Sequence, residues 1–89
     1  MKLGVLEKTE RKLILEVRGE SHTFVNLLRE NAWKKGAEQA SYTIENPFMS
    51  EPKFLLIAKN PKKVLTDSAQ LIIDQAKELQ NELKRVFKK

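Results

Sequence analysis

Residues 61–88 read PKKVLTDSAQLIIDQAKELQNELKRVFK, and this stretch decides the fold. Its proline follows Asn60, and an asparagine cap before a first-turn proline is typical of a helix start. Apolar residues then recur at alternating spacings of four and three, the pattern of a coiled-coil seam held over about three heptads. We call these residues the seam: Leu65, Ala69, Ile72, Ala76, Leu79, Leu83 and Val86. The pattern predicts a long helix over about 61–88.

A helix of this length should overhang its own domain. At about 1.5 Å per residue it spans roughly 40 Å, whereas a compact chain of 89 residues has a diameter of only about 25–30 Å. The last turns of a monomer would therefore expose Leu79, Leu83 and Val86 to water. Because contiguous exposed apolar surface marks interaction sites, the pattern favours packing against a partner helix over fraying or cover of the domain's own core.

Two strand patterns stand at the start of the chain. Lys2 to Thr9 alternates weakly, with Leu3 and Val5 facing one way. Lys12 to Arg18 alternates clearly, with Leu13, Leu15 and Val17 on one face. A polar stretch separates the two segments, so they are expected to pair as a hairpin.

A short helix is predicted next, over about 22–35. After Gly19 the apolar spacing becomes helical, and either Ser21 or Thr23 can cap the first turn. Gly36 follows as a C-terminal stop. The apolar stripe of this helix consists of Phe24, Leu27, Leu28 and Ala32.

Ala37 to Glu45 and Lys53 to Lys59 return to strand patterns around a proline-containing loop. The continuous apolar run Phe54 to Ile57 predicts a strand in the middle of a sheet or covered on both faces. The predicted order is β-β-α-β-β-α in a single small domain over 1–89. The fold class is α+β, a small antiparallel-type sheet with two helices on one face.

The composition excludes several classes of function. Cysteine is absent and histidine occurs once, so the usual zinc ligands are missing and no disulfide is expected. No apolar run approaches the length of a membrane span, and no secretory segment is present. We therefore expect a cytoplasmic chain with no metal, no cofactor, no small-molecule substrate and no membrane contact.

No catalytic constellation can be assembled from the sequence. Glu20, Ser21 and His22 are adjacent, whereas a catalytic triad needs side chains that converge in space. Asp67 and Asp74 lie seven residues apart on one helix, about 10 Å along its axis, which is wide for a pair of catalytic carboxylates. The chain itself is predicted to be non-catalytic.

Nucleic-acid binding is the alternative function. The net charge is +5, and lysine and arginine side chains decorate the long helix, where they could neutralise phosphates. Trp33 is the one obvious aromatic candidate for stacking on bases. Because lysines also commonly occupy the solvent-exposed face of an amphipathic helix, this alternative ranks below partner binding.

Gly19 to Glu30 reads GESHTFVNLLRE. This segment resembles the dimerisation signature of archaeal RNA polymerase subunit L and its eukaryotic counterparts, usually Gly-Glu-Asp-His-Thr followed by Asn-Leu-Leu-Arg. Ala40-Ser41-Tyr42, Asn46-Pro47-Phe48 and Glu51-Pro52-Lys53-Phe54 resemble later segments of the same family. The resemblance covers essentially the whole chain, including the long last helix. The chain departs from the family in the loops at 45–52 and 59–61.

The resemblance implies a structural role in transcription. Subunit L of that family pairs with a larger D-type subunit through helices that form a joint hydrophobic core, and the pair is a platform for the large catalytic subunits. DNA would be met only indirectly, within the assembled enzyme. Carried over by position, the interface residues are Phe24, Asn26, Leu27, Leu28, Arg29, Ile72, Ala76, Leu79, Leu83 and Val86. A homodimeric coiled-coil adaptor would use the same seam and is a third hypothesis.

Overall fold

The computed structural model describes residues 1–44 and 51–88. It contains strands β1 (Lys2–Lys8), β2 (Lys12–Arg18), β3 (Gln39–Thr43) and β4 (Lys53–Ile57), with helices α1 (His22–Lys34) and α2 (Pro61–Phe87). The predicted order β-β-α-β-β-α and the α+β class are confirmed. The predictions for Glu45 and for Asn46-Pro47-Phe48 lie outside the described residues.

The four strands form one antiparallel sheet in the order β1-β2-β4-β3. The apolar run of β4 is therefore central, as the sequence predicts. Leu15 lies opposite Phe54 and Leu13 opposite Leu56, so these side chains share one face of the sheet. That face carries half of the buried apolar core: Leu13, Leu15, Val17, Ala40, Phe54 and Leu56.

Both helices pack against this buried face. Helix α1 contacts β3 and β4, α2 contacts β2, and the two helices contact each other. From α1 the side chains of Val25, Leu28 and Ala32 enter the core, and from α2 Val64 does so. Two helices on one side of a four-stranded sheet leave the outer strand β1 without helical cover.

Local signals fix where each helix begins and ends. The Oγ atom of Ser21 accepts a hydrogen bond from the backbone N–H of Phe24, and Asn60 Oδ1 accepts one from that of Lys63 at 3.1 Å. Ser21 and not Thr23 is therefore the cap of α1. The chain leaves α1 through Gly36, whose φ of +99° is costly for any residue with a β-carbon.

Strand β3 is shorter than its sequence pattern predicts. Alternation runs from Ala37, but pairing with β4 begins at Gln39 and ends at Thr43. The backbone of Glu38 instead donates a hydrogen bond to the carbonyl of Ile57 at 2.7 Å. Ala37 is buried outside the strand, three residues before the buried Ala40, so its burial does not follow the alternation of the strand.

The long helix gives the molecule its shape. The Cα atoms extend over 51 × 33 × 17 Å with a radius of gyration of 14.9 Å, whereas a compact chain of this length has a radius near 12 Å. The last residue of α2 in the buried class is Ser68, and from Ala76 to Lys88 every residue is exposed. The predicted overhang is confirmed, and the name is used below for residues 76–88.

Candidate partner interface

The seam is uncovered along most of α2. Ala69, Ala76, Leu79, Leu83 and Val86 are exposed, with Leu79 at 61% and Val86 at 51%. Leu65 and Ile72 are half-buried and pack on the edge of the core. Phe87, at 78% exposure, widens the apolar surface at the helix end. The overhang carries most of the exposed apolar side chains of this helix.

A different side of α2 faces the chain's own domain. Its buried positions are Pro61, Val64 and Ser68, and their spacings of three and four keep them on one side of a helix. Further along, the side-chain nitrogen of Asn31 donates to Gln75 Oε1 at 3.5 Å, joining α1 to α2. The domain therefore contacts α2 along one side and leaves most of the adjacent seam uncovered.

Polar groups mark the contact between the helices. Asn31 is only 1% exposed, and its Oδ1 atom accepts no hydrogen bond from the part of the chain that the structure describes. Ser68 is buried completely and donates through its hydroxyl to the carbonyl of Val64 at 2.6 Å. A buried amide with an unsatisfied acceptor costs free energy, so this contact is weaker than an apolar one of the same size.

The predicted interface residues of α1 are placed differently from one another. Leu27 is 36% exposed and Phe24 is half-buried against the core, so both present apolar surface near α2. Leu28 is 6% exposed and belongs to the chain's own core. Leu28 can therefore support the surface from beneath but presents little area to a partner.

Asn26 and Arg29, both half-buried, form a pair on the side of α1 that faces away from α2. Asn26 Oδ1 accepts hydrogen bonds from Nε and from an Nη atom of Arg29, at 3.1 and 2.6 Å. Trp33, which is 47% exposed, lies four residues after Arg29 and therefore on the same side of α1. Asn31 lies on the other side and points towards α2. Asn26 and Arg29 are therefore separated from the seam, and the predicted set divides between two sides of α1.

His22 has a structural contact at the start of α1. Its ring meets that of Tyr42 edge-on, with 6.1 Å between ring centroids. The contact ties the first turn of the helix to β3. No polar partner that would make His22 a general base is brought next to it by this arrangement of the described residues.

The overhang is basic. Between Ala76 and Lys88 four basic side chains face two acidic ones, a net charge of +2. Arg85 pairs with Glu82 one helical turn away, and the hydrogen bond between them lowers the pKa of the Glu82 carboxyl. Both groups are fully exposed, so the pair decorates the rim of the seam and contributes little to stability.

A cleft continues the apolar surface beyond the seam. It encloses about 500 Å³ between β1, β2 and the first turns of α2. Its apolar lining consists of Leu3, Val5, Leu13, Leu15, Pro61 and Leu65. Leu65 belongs to both surfaces, so the cleft and the seam are joined.

Sequence reasoning missed this cleft. The weak alternation of β1 placed Leu3 and Val5 on one face, but it did not show that this face would lack a helix. No signal in the sequence could have shown it, because two helices about 10 Å in diameter are wide enough for four strands about 4.8 Å apart, and the cover of β1 depends on where the helices pack.

Neither a metal site nor a membrane-spanning helix is found among the described residues. Residues 1–44 and 51–88 contain no group of three or more His, Cys, Asp or Glu side chains placed to hold a metal ion. Among the same residues, no helix is both long and apolar enough to cross a membrane.

Comparison with known proteins agrees with an interface as the functional site. The family described as the RNA polymerase Rpb3/Rpb11 dimerisation domain matches residues 12–82. DNA-directed RNA polymerase subunit Rpo11 of Thermococcus sibiricus is 36% identical, with both chains covered completely. The Rpo11 subunit of Pyrococcus abyssi is 33% identical over 99% of each chain, and that of Methanosarcina acetivorans 36% identical over 88% of each.

A solved structure shares the fold. The crystal structure of DNA-directed RNA polymerase subunit L from Thermoplasma acidophilum superposes with a TM-score of 0.85, covering 97% of this chain and 88% of that one. The two sequences are 19% identical, so the likeness concerns the fold alone. Because the family match spans most of the chain and relatives at 36% and 33% identity span nearly all of it, the chain belongs to the RNA polymerase Rpb3/Rpb11 dimerisation domain family.

Proposed function

We propose that this chain is the L subunit of an archaeal-type RNA polymerase and that it forms a heterodimer with a D-type subunit. The whole chain, 1–89, acts as one dimerisation domain. The heterodimer is the platform on which the large catalytic subunits assemble in the cytoplasm, and DNA is met only within that assembly. The family is one of non-catalytic polymerase subunits, so the role of this chain in transcription is structural.

One observation carries the proposal: the seam is uncovered and continues past the domain. From Ala76 to Phe87 the helix projects about 18 Å at 1.5 Å per residue, with Leu79, Leu83 and Val86 exposed. Leaving such side chains in water costs about 25 cal/mol per Å² of apolar area that a partner could bury. A long exposed apolar seam is therefore unfavourable in a monomer and becomes favourable in a subunit that buries it against a partner.

The proposed interface has two parts. The seam residues Ile72, Ala76, Leu79, Leu83 and Val86 pack against helices of the partner, with Phe24 and Leu27 beside them and Leu28 beneath. Asn26 and Arg29, on the side of α1 that faces away from α2, form a separate polar contact. Their mutual hydrogen bonds hold the guanidinium in one orientation, which suits recognition of a carboxylate or a backbone carbonyl.

Charge favours a different partner over a second copy. Two identical chains would bring together two overhangs of net charge +2 and two chains of net charge +5. Opposite charge around an apolar contact speeds association and suppresses wrong pairings. We therefore expect the D-type partner to be acidic where it meets the overhang.

Co-expression with a D-type subunit tests the proposal. The pair should elute from size-exclusion chromatography as one species whose mass by light scattering equals one copy of each chain. If the chain elutes alone as a monomer in the presence of that subunit, the proposed pairing is wrong.

The nucleic-acid alternative is tested with the same material. Lysine-rich surface predicts binding to duplex DNA that weakens steeply with salt. Arg85 is paired with Glu82 and Lys63 with Asp67, which reduces the charge available for phosphates. Submicromolar binding by the isolated chain at physiological salt would favour the alternative.

A further inference from the structure

The contact between α1 and α2 ends at a pair of side-chain amides. Asn31 of α1 donates through Nδ2 to Oε1 of Gln75 on α2, with 3.5 Å between the two atoms. Gln75 is half-buried, and every residue after it that the structure describes in α2 is exposed. The amide pair therefore lies where the covered part of α2 gives way to the overhang.

Asn31 destabilises the fold that contains it. Its side chain is 1% exposed and belongs to the buried side of α1, together with Val25, Leu28 and Ala32. Its Oδ1 atom accepts no hydrogen bond from the described residues. A buried carbonyl oxygen without a donor costs free energy, and an apolar side chain of similar size would avoid that cost. A buried polar group of this kind calls for an explanation outside the fold of the lone chain.

Gln75 lies beside the seam as well as beside Asn31. It follows Ile72 by three residues and precedes Leu79 by four, so it is a neighbour of both on the helix surface. Its oxygen is bonded to Asn31, whereas its side-chain nitrogen donates to no acceptor among the described residues. A partner that covers the seam takes water away from this nitrogen.

The two amides together lack one donor and one acceptor. Asn31 Oδ1 needs an N–H or O–H group, and Gln75 Nε2 needs an oxygen. A carboxylate brings only acceptors, and an ammonium or guanidinium group brings only donors; either would also bury a charge in apolar surface. An amide or hydroxyl side chain brings a donor and an acceptor without a charge, so it is the group that fits.

Gln75 is held loosely enough to admit such a group. Its bond to Asn31 is longer than the typical hydrogen bond of about 3 Å. Oδ1 and Nδ2 of Asn31 belong to one planar amide, so a group that arrives beside Gln75 arrives beside Oδ1 as well once Gln75 turns.

We propose that the amide pair is a selectivity site, which receives an uncharged amide or hydroxyl side chain from a helix of the D-type partner. The inference rests on the proposed function. The seam repeats every seven residues, so apolar packing alone fits a partner helix at more than one register. A single polar site in an apolar interface disfavours every register that sets an apolar side chain against it. The amide pair therefore selects one register and the helix that satisfies it.

Replacing Gln75 separates this site from a purely apolar interface. Gln75→Leu adds apolar area beside the seam, so an interface driven by area alone predicts tighter binding. The selectivity site predicts a dissociation constant about tenfold higher, because the polar group of the partner is left buried without a hydrogen bond. Gln70→Leu is the matched control, since Gln70 is exposed and lies across the helix from the seam. It should bind within about twofold of wild type.

Replacing Asn31 should have opposite effects in the lone chain and in the pair. Asn31→Leu removes the unsatisfied carbonyl, so we expect the melting temperature of the lone chain to rise. In the heterodimer we expect the dissociation constant to rise about tenfold. Ser68→Ala removes another buried polar group, one that is already bonded to Val64, and should leave the dissociation constant within about twofold.

The outcomes distinguish this inference from the proposed function. If the wild-type chains form the 1:1 pair and Gln75→Leu binds as tightly as wild type or more tightly, the amide pair selects nothing although the pairing is right. If the wild-type chains do not pair, the proposed function fails first and this inference fails with it.

Nuclear magnetic resonance decides the case in which Asn31→Leu does not fold. In the ¹⁵N-labelled wild-type chain, the side-chain NH₂ protons of Gln75 should exchange with solvent more slowly once the D-type subunit is bound. Those of Gln70 should exchange as in the lone chain. Unchanged exchange at Gln75 in the assembled pair overturns the inference. The same protection in a self-associated chain without the D-type subunit overturns it too, because a second copy would then be the occupant.

Discussion

The hydroxyl of Ser21 accepts a hydrogen bond from the backbone of Phe24, with 3.3 Å between oxygen and nitrogen. This bond satisfies one of the amides that the first turn of α1 would otherwise leave unpaired. The sequence offered Ser21 and Thr23 as equal candidates, because both carry a hydroxyl just before the apolar stripe. The backbone conformation distinguishes the two residues. Ser21 is extended, with φ −82° and ψ 164°, as a capping residue is, whereas Thr23 lies inside the helix.

Ser21→Ala should lower the free energy of unfolding by about 1 kcal/mol, because the cap is lost without a replacement acceptor. Thr23→Ala is the matched control, since it removes a hydroxyl that does not cap the helix. We expect its effect to stay within about 0.5 kcal/mol. Urea denaturation of the heterodimer followed by circular dichroism measures both. Equal losses from the two variants would show that the capping bond contributes nothing.

Buried polar residues were the least predictable positions. Asn31 and Ser68 are almost completely buried, yet their residue types are ordinarily exposed. Sequence reasoning selected apolar positions and had no reason to place either residue inside. Asn31 reaches Gln75 of α2, so its burial depends on how the two helices pack together, which periodicity within one segment does not describe.

At the scale of the element, the heptad spacing of α2 predicted both its length and its exposed seam. The predicted end, residue 88, is one residue beyond the observed Phe87. The pattern could not show which side of α2 faces the domain. Val64 and Ser68 recur at helical spacing next to the seam, so the buried side of the helix lies beside the apolar stripe and not along it. Only the position of the sheet separates the inner side from the outer one.

Leu79→Glu should prevent pairing while leaving the sheet intact. Leu79 is 61% exposed in the chain alone, so its replacement disturbs little there, whereas in the pair it would bury an unpaired carboxylate. We expect the dissociation constant to rise more than about tenfold. Asn81→Glu adds the same charge on the opposite side of the helix and should bind like wild type.

Titration calorimetry against the D-type subunit measures both variants, with circular dichroism confirming that each is folded. Wild-type affinity for Leu79→Glu would place the interface away from the overhang and contradict the proposed role of the seam.

At the scale of the whole molecule, the core is thin. The shortest Cα extent is 17 Å, enough for one sheet and one layer of helices. Short chains bury a modest share of their surface, and here the last third of α2 adds none. Length and element order were sufficient to predict this shape, because an overhanging helix follows from counting residues. The bare face of β1 was not predictable, since it depends on where both helices come to rest.

Binding to the partner should therefore account for much of the stability of the chain in the assembled pair. A ligand that binds only the folded state adds about 2.7 kcal/mol at a hundred times its dissociation constant. We expect the melting temperature of the chain to rise with the concentration of the D-type partner in differential scanning calorimetry. A melting temperature that is unchanged by that partner would indicate a self-sufficient monomer.

The register shift in β1 affects how an unassembled chain behaves. Between Val5 and Glu7 the pairing with β2 slips by one residue, and such a bulge bends the strand and interrupts its outer row of backbone donors and acceptors. Strand β1 is an edge strand with exposed apolar residues on it, the usual starting point for fibre growth. The bulge interrupts the free backbone hydrogen-bonding groups along the edge of β1, and Lys2 and Lys8 stand at the two ends of the strand. A strand from another molecule therefore cannot pair along the whole of this edge. Newly made chains can thus wait in solution for their partner without polymerising edge to edge.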